Sequence, residues 1–289
     1  MERLYNSTMN LKNAIERLDK KLETIYDNPR HLKTASNSVF GSAVRENIDM
    51  NEFIDDVENG TAFDFKSFAK ATSGNFLDFL KPKYHAMAQP LIDITAGGNG
   101  GMASIGRGEF AISFLSNFQS KITKSGKGDL EYLGKYEEVK HNGGKLSVDD
   151  KAGNEIFRSF KTLVESKGLK LQKKDYLPNR VADAKLYSAS VKKDLNGLYW
   201  QAITGVEQSA LTDDEWFILS LDRGFKRSFE KVDSLLVLNE NNDFVRFFNS
   251  KTALDFYKAR ISIVKRNFEI RNFQNNAVSF YLGLEEVTA

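Results

Sequence analysis

Two short strand-like runs, residues 129–132 and 135–140, flank Leu133-Gly134 and restrict the local fold more than any other segment of the chain. Two such runs joined by two residues are typical of a β-hairpin. With Leu133-Gly134 as the turn, Asp129 lies opposite Glu138. Directly opposed residues share one face of a sheet, with their Cβ atoms about 4.5–5.5 Å apart. The sequence therefore predicts two carboxylates side by side on a sheet surface.

The same alternation places Lys140 on the face of these carboxylates, while Val139 points to the other face. Two carboxylates about 5 Å apart repel by roughly 3 kcal/mol at an effective dielectric constant near 20. A divalent cation removes this repulsion, and Mg²⁺ favours carboxylate, water and phosphate oxygens. A bound metal lowers the pKa of its water, and Lys140 would orient that water or stabilise developing negative charge. Two carboxylates and a lysine on one face of the sheet therefore predict the chemistry of phosphodiester hydrolysis.

The same residues also fit an interpretation without any catalytic role. Taken singly, Glu138 and Lys140 fit a solvated strand face, and Asp129 fits a turn. Glu131 shares the predicted face and Glu137 points away from it, and we interpret both as surface charges.

Patterns elsewhere predict a mixed α/β (α+β) chain. We find no internal repeat, and the 22 Phe against 2 Trp indicate a Phe-rich interior. Apolar spacing and turn residues predict helices and strands. The expected helices are 11–25, 63–80 (split near Gly74), 109–118, 153–167 (ended by Gly168), one starting at the capping box Thr212 to Glu215, and 254–261. The expected strands, besides the hairpin, are 145–148, the pair 232–238 and 243–248, and 277–282.

Composition excludes several kinds of site. The chain has no cysteine, which excludes disulfides and thiolate metal sites. It has 3 His, none with a partner four residues away, which argues against a zinc site, and we interpret His141 as a solvated loop residue. The glycine-rich segment 96–108 lacks the lysine and hydroxyl of a phosphate-binding loop and is interpreted as a flexible loop.

Charge and hydropathy limit the partners. With 41 basic and 39 acidic residues, nucleic acid would have to bind through a local patch rather than through bulk charge. Neither a signal-peptide pattern nor a run of about 18 apolar residues is visible, so we expect no membrane association and a cytoplasmic protein.

Gly128-Asp129 followed by Glu138-Val139-Lys140, with Gly106-Arg-Gly-Glu109 opening a helix upstream, resembles the motif block of the PD-(D/E)xK nuclease superfamily. The resemblance covers about residues 105–170. It implies a restriction-endonuclease-like αβββαβ core with a mixed sheet. Gly128 stands where many members have a proline. The implied catalytic residues are Asp129, Glu138, Lys140 and Glu109, and the implied metal ligands are Asp129, Glu138, Val139 and Glu109.

By this resemblance we expect a Mg²⁺-dependent endodeoxyribonuclease, with Mn²⁺ able to substitute, of the kind found among phage nucleases and homing nickases. A phage-encoded protein would act in the host cytoplasm. DNA contacts need basic side chains near the cleft. The expected DNA-binding residues are Lys127, Lys145, Lys161 and Lys124. Double-strand cleavage usually needs two active sites, which leaves a homodimer open.

We expect three regions: helical residues 1–95, a nuclease core at 96–250, and a helix and strand extension at 251–289 packed on the core. Two other functions remain open. One is a non-catalytic DNA-binding or phage assembly protein that keeps a nuclease-like fold. The other is a helical interaction protein in which the motif is accidental.

Overall fold

The computed structural model describes residues 2–23, 29–95, 105–123, 128–141, 144–147, 159, 162–168, 198, 201–202, 205–207, 212–261, 268–271, 277–282 and 284. The chain forms two compact units. The first unit contains Met1–Asn142 and Val232–Arg246, and the second contains Gly143–Lys231 and Phe247–Ala289. The helical residues up to 95 thus belong to the same unit as the hairpin. No helix in the described part of the chain combines the length and apolarity needed to cross a membrane.

The helices of the first unit cover a common apolar core. Their bounds are α1 Glu2–Leu22, α2 Pro29–Arg45, α3 Met50–Glu58, α4 Phe65–Phe68, α5 His85–Ile92 and α6 Glu109–Leu115. The predicted first helix is confirmed over its described part, since Ala14, Leu18 and Leu22 are fully buried along one stripe. Asp49 caps α3 by accepting hydrogen bonds from the backbone N–H groups of Asn51 and Glu52.

A six-stranded mixed sheet completes the first unit. Its strands are β1 Ser73–Asn75, β2 Lys121–Ile122, β3 Leu130–Tyr132, β4 Lys135–His141, β6 Ser234–Leu238 and β7 Asp243–Phe247. They lie in the order β1-β7-β6-β4-β3-β2. Strands β4 and β6 run parallel, with Glu138 opposite Leu235. Every residue of β6 is buried, as expected of a central parallel strand. The predicted adjacent strands within 232–248 are confirmed, joined by the turn from Asn239 to Asn242.

The hairpin forms in the predicted register. Leu130 pairs with Glu137 and Tyr132 with Lys135, and both turn residues have positive φ, 52° at Leu133 and 73° at Gly134. Positive φ at both central positions is the geometry that matches the twist of the two strands. The alternation is confirmed as well, because Val139 is 4% exposed on the core side.

Glu137 is not a surface charge, contrary to the sequence interpretation. It is 1% exposed, and its carboxylate accepts hydrogen bonds from Arg246 Nε at 2.7 Å and Ser234 Oγ at 2.8 Å. Arg246 lies on β7 and is itself 3% exposed. The opposite face of β4 is therefore part of the core, and a buried ion pair joins β4 to β7.

The segment 63–80 is only partly helical, so the predicted split helix is wrong there. After α4 the chain forms β1, which pairs with β7, and then a 3₁₀ helix, Phe76–Phe79. Asn75 fixes this change of direction by donating to Asn241 O and Asp243 Oδ1, both at 2.9 Å. Pairing with a distant strand thus overrides the local apolar spacing.

The second unit contains α7 Asp213–Phe229, α8 Ser250–Lys258 and a three-stranded sheet in the order β5-β9-β8. Its strands are β5 Gly144–Ser147, β8 Phe268–Arg271 and β9 Ala277–Leu282. The capping box at Thr212 and Glu215 is confirmed, as are α8 and β9. Residues 162–166 are helical and Gly168 has φ 73°, whereas most of the predicted helix 153–167 lies outside the described residues. Strand β5 pairs with β9 rather than with the sheet that contains β4.

Candidate active site

Asp129 is held at the point where the β3–β4 ladder ends. Its backbone N–H donates to Glu137 O at 2.8 Å, and its carbonyl accepts from Thr123 N at 2.9 Å. Its Oδ2 accepts from Val139 N at 2.8 Å. The Asp129 carboxylate thus accepts the hydrogen bond that a neighbouring strand's carbonyl would otherwise take from Val139 N. Backbone hydrogen bonds to Glu137 and Thr123 fix the residue in position.

Gly128 explains why the proline of the resembled motif is missing. Its φ is +105°, which a proline, limited to about −65°, cannot adopt. A Cβ here would also lie 2.9 Å from Val232 Cγ1 and 3.0 Å from Glu137 O. Glycine is therefore needed to bring Asp129 beside β4 in this chain.

Lys140 and Glu138 lie on the face of β4 that Asp129 adjoins. The Lys140 ammonium forms an ion pair with Glu138 and lies 3.6 Å from Asp129 Oδ2. The side chains of Asp129 and Glu138 are each 24% exposed, and that of Lys140 is 15% exposed. The structure brings together the three residues that spacing and register had grouped.

Glu109 is the first residue of α6 and is 5% exposed. Burial, followed by the negative charge of Asp129, raises the pKa of its carboxyl to about 8. The backbone N–H of Gly106 donates to this carboxylate and opposes that rise. A Cβ at position 106 would overlap Glu109 Oε1, so any larger residue there would force the Glu109 carboxylate to shift. Glu109 joins the cluster from a separate element.

Lys140 supplies the positive charge of the cluster. Burial alone would lower its pKa, but the attraction of Glu138, Asp129 and Glu109 outweighs burial and raises the pKa above its usual 10.5. Lys140 is therefore an ammonium at neutral pH. Because the pKa of Glu109 is about 8, that group is mostly protonated at neutral pH. Asp129 and Glu138 still outnumber the single ammonium of Lys140, which makes the cluster attractive to a further cation.

The residues of the cluster suit a metal by the chemistry of their side chains and not by their present spacing. Carboxylate oxygens suit Mg²⁺, and Asp129, Glu138 and Glu109 share one electrostatic environment. Within the described residues, however, no three acidic or histidine side chains are grouped so that they could hold a metal ion. Glu138 instead contacts Lys140. Val139 contributes its backbone N–H to Asp129 and packs its side chain in the core.

The predicted DNA-binding lysines are not among the described side chains that form the cluster. Lys124, Lys127 and Lys161 lie outside the described residues, and Lys145 lies on β5 of the second unit without a described side chain. His141 is the last residue of β4 and is 6% exposed, so its interpretation as a solvated loop residue is wrong.

Two residues near the site were missed by the sequence interpretation. Arg246 supports β4 from the core side through Glu137, and Arg107 lies between the two glycines that precede α6. The even spacing of Glu137, Val139 and His141 on an inward face was the available signal that Glu137 needs a buried cation. Nothing in the local sequence identified Arg246 as that partner.

No family model, no curated protein and no solved structure matches this chain. Function is therefore argued from the geometry and charges of the cluster.

The raised pKa of Glu109 gives a pH-dependent stability. Between pH 4.5 and about 8 the folded chain keeps a proton on Glu109 that the unfolded chain releases. The free energy of unfolding therefore falls as the pH rises through this range, and the loss is complete above about pH 8. We expect Glu109→Gln to be more stable than wild type by roughly 2–4 kcal/mol near pH 9 and nearly equal near pH 5. Urea unfolding in EDTA at both pH values measures this difference. The control Glu131→Gln should change stability by less than about 0.5 kcal/mol at either pH. A Glu109→Gln protein less stable than wild type near pH 9 would contradict the assignment.

Proposed function

We propose that this protein is a Mg²⁺-dependent endodeoxyribonuclease that hydrolyses DNA phosphodiester bonds. The observation behind the proposal is that Asp129, Glu138 and Lys140 share one partly buried site with Glu109. Three carboxylates and one lysine, in this chain order and on a helix followed by a hairpin, are what the PD-(D/E)xK resemblance implies. The parallel strand β6 beside β4 further supports a core of that type, although β5 pairs elsewhere.

In this proposal Asp129, Glu138 and Glu109 would supply the carboxylate oxygens for a metal, and their side chains would have to draw closer together, because no three described acidic side chains are grouped to hold one. A metal bound by these residues would supply an activated water molecule and positive charge against the phosphate. Asp129 is already fixed by its bond from Val139 N, so it needs little reorganisation to act as a ligand. Glu138 would have to exchange its contact with Lys140 for the metal.

Lys140 acts in this proposal as a hydrogen-bond donor. Its raised pKa keeps it protonated at neutral pH, which excludes a role as general base there. An ammonium beside the carboxylates can orient the attacking water or stabilise negative charge on a phosphate oxygen. Both of these roles, which the sequence left open, are available to a positively charged Lys140.

A plasmid assay tests the proposal. Supercoiled plasmid incubated with wild-type protein should be nicked in Mg²⁺ or Mn²⁺ and remain intact in EDTA. Asp129→Asn and Glu138→Ala should each lower the nicking rate by at least about 100-fold, because each removes a charged ligand. Glu131→Gln, a neutralised carboxylate on β3 outside the cluster, should nick at the wild-type rate.

The outcome also separates the alternative function. DNA binding with no cleavage in any metal would favour a non-catalytic DNA-binding or phage assembly protein. Nicking that survives in both Asp129→Asn and Glu138→Ala would place the activity elsewhere. On the proposed function the partner is DNA and the protein acts in the cytoplasm. Linear product formed without a nicked intermediate would support paired sites in a homodimer.

A further inference from the structure

The turn that leads into α6 is fixed next to the cluster. Gly108 N donates to Ile92 O at 2.9 Å, and the N–H of Gly106 donates to the Glu109 carboxylate. Arg107 lies between these two glycines. Its backbone is therefore anchored on both sides, one residue from the amide that holds Glu109, while its side chain is 46% exposed.

Two carboxylates hold the Arg107 side chain loosely. Arg107 Nε lies 3.5 Å from Asp93 Oδ1, and Nη1 lies 3.4 Å from Glu240 Oε1. Charge-assisted hydrogen bonds are usually about 2.7–2.9 Å long. Arg17 in the same unit shows the contrast, since it contacts Asp55 and Glu58 at 2.6 Å each. We call Asp93, Arg107 and Glu240 the arginine clamp.

Arg107 can leave its two carboxylate partners for another anion at little cost in stability. Asp93 is 42% exposed and Glu240 is 50% exposed, and ion pairs at such exposure stabilise a fold very little. A phosphate group offers Arg107 a better partner, because the planar guanidinium can donate two parallel hydrogen bonds to phosphate oxygens. Two carboxylates around one guanidinium also leave the clamp negative, which opposes an incoming phosphate until Arg107 turns away from them.

We propose that Arg107 binds a DNA backbone phosphate beside the catalytic cluster, and that Asp93 and Glu240 compete with that phosphate for its guanidinium. This inference rests on the proposed function, since it takes DNA as the ligand. It adds a binding residue from the turn before α6 and a built-in competitor that sets DNA affinity.

Binding of a fluorescein-labelled DNA duplex in EDTA, followed by anisotropy over a range of salt concentrations, tests this. Arg107→Gln should weaken binding by about tenfold and reduce the slope of log K against log salt by about 0.9. Arg107→Lys should recover the slope but only part of the affinity, because lysine lacks the planar fork. Arg17→Gln, which removes an arginine held by two carboxylates elsewhere in the unit, should leave both quantities unchanged.

The double variant Asp93→Asn/Glu240→Gln separates competition from general charge. It should tighten DNA binding several-fold in the presence of Arg107 and give no gain when combined with Arg107→Gln. An equal gain with and without Arg107 would overturn the clamp, because it would reflect only the loss of two negative charges.

The two proposals fail differently. Wild-type nicking in Mg²⁺ together with an unchanged affinity and salt slope in Arg107→Gln would overturn the arginine clamp and leave the nuclease standing. Absence of nicking together with Arg107-dependent DNA binding would overturn the nuclease and support the clamp. Absence of DNA binding by the wild-type protein would overturn both.

Discussion

Replacing Arg246 by methionine is expected to lower the free energy of unfolding of the first unit by about 3–5 kcal/mol. The guanidinium donates to Glu137 at 2.7 and 3.3 Å, and its Nη1 donates to Ala71 O at 2.8 Å and to Phe68 O. It also lies 4.6 Å from the centre of the Phe68 ring. Methionine fills similar space but leaves Glu137, 1% exposed, without a counter-charge.

Urea unfolding followed by circular dichroism measures this loss. The double variant Glu137→Leu/Arg246→Met should recover most of it, because the cost comes from the unpaired buried carboxylate and not from the absence of the ion pair. Arg17→Met, which removes a more exposed arginine with two carboxylate partners, should cost less than about 1 kcal/mol. A loss in Arg246→Met no larger than that of Arg17→Met would show that the buried pair contributes little.

Replacing Lys140 by methionine is expected to lower Mg²⁺-dependent plasmid nicking by about 10²–10⁴-fold while tightening the binding of Mg²⁺. The two effects have opposite signs for one physical reason. The Lys140 ammonium, which would assist the proposed reaction, contacts Glu138 and lies 3.6 Å from Asp129 Oδ2, so it would compete with an incoming Mg²⁺ ion for these carboxylates.

Nicking rates and calorimetric titration with Mg²⁺ test both effects. Lys135→Met, on the same strand and exposed, serves as the control and should change neither quantity. Weaker Mg²⁺ binding in Lys140→Met would mean that Lys140 supports the carboxylates and does not compete for them. Nicking at the wild-type rate would remove Lys140 from the mechanism.

Both predictions concern β4, whose two faces have different surroundings. Glu138 and Lys140 face the cluster, while Glu137 on the other face is buried against Arg246. The ion pair therefore holds in place the strand that presents the proposed catalytic residues. A destabilised Arg246 variant should lose nicking activity through loss of structure, which is why unfolding and nicking need to be measured on the same protein samples.

The sequence by itself determined the features that depend on local geometry. A two-residue turn and a period of two fixed the hairpin register, and with it the meeting of Asp129, Glu138 and Lys140. The capping box at Thr212 likewise predicted the start of α7, because its hydrogen bonds join residues three apart.

Only the tertiary structure decided features that join distant segments. Glu137 and Arg246 are 109 residues apart, so neither residue alone shows that the other neutralises it. Strand β1 pairs with β7 in a segment that was predicted to be helical, and β5 pairs with β9 in a second sheet. The same holds for Glu109, whose pKa rises to about 8 because the fold buries it beside Asp129. Turn geometry and alternation act between near neighbours and can be predicted from the sequence. Burial and charge pairing depend on which distant segments pack together, and only the folded chain determines that.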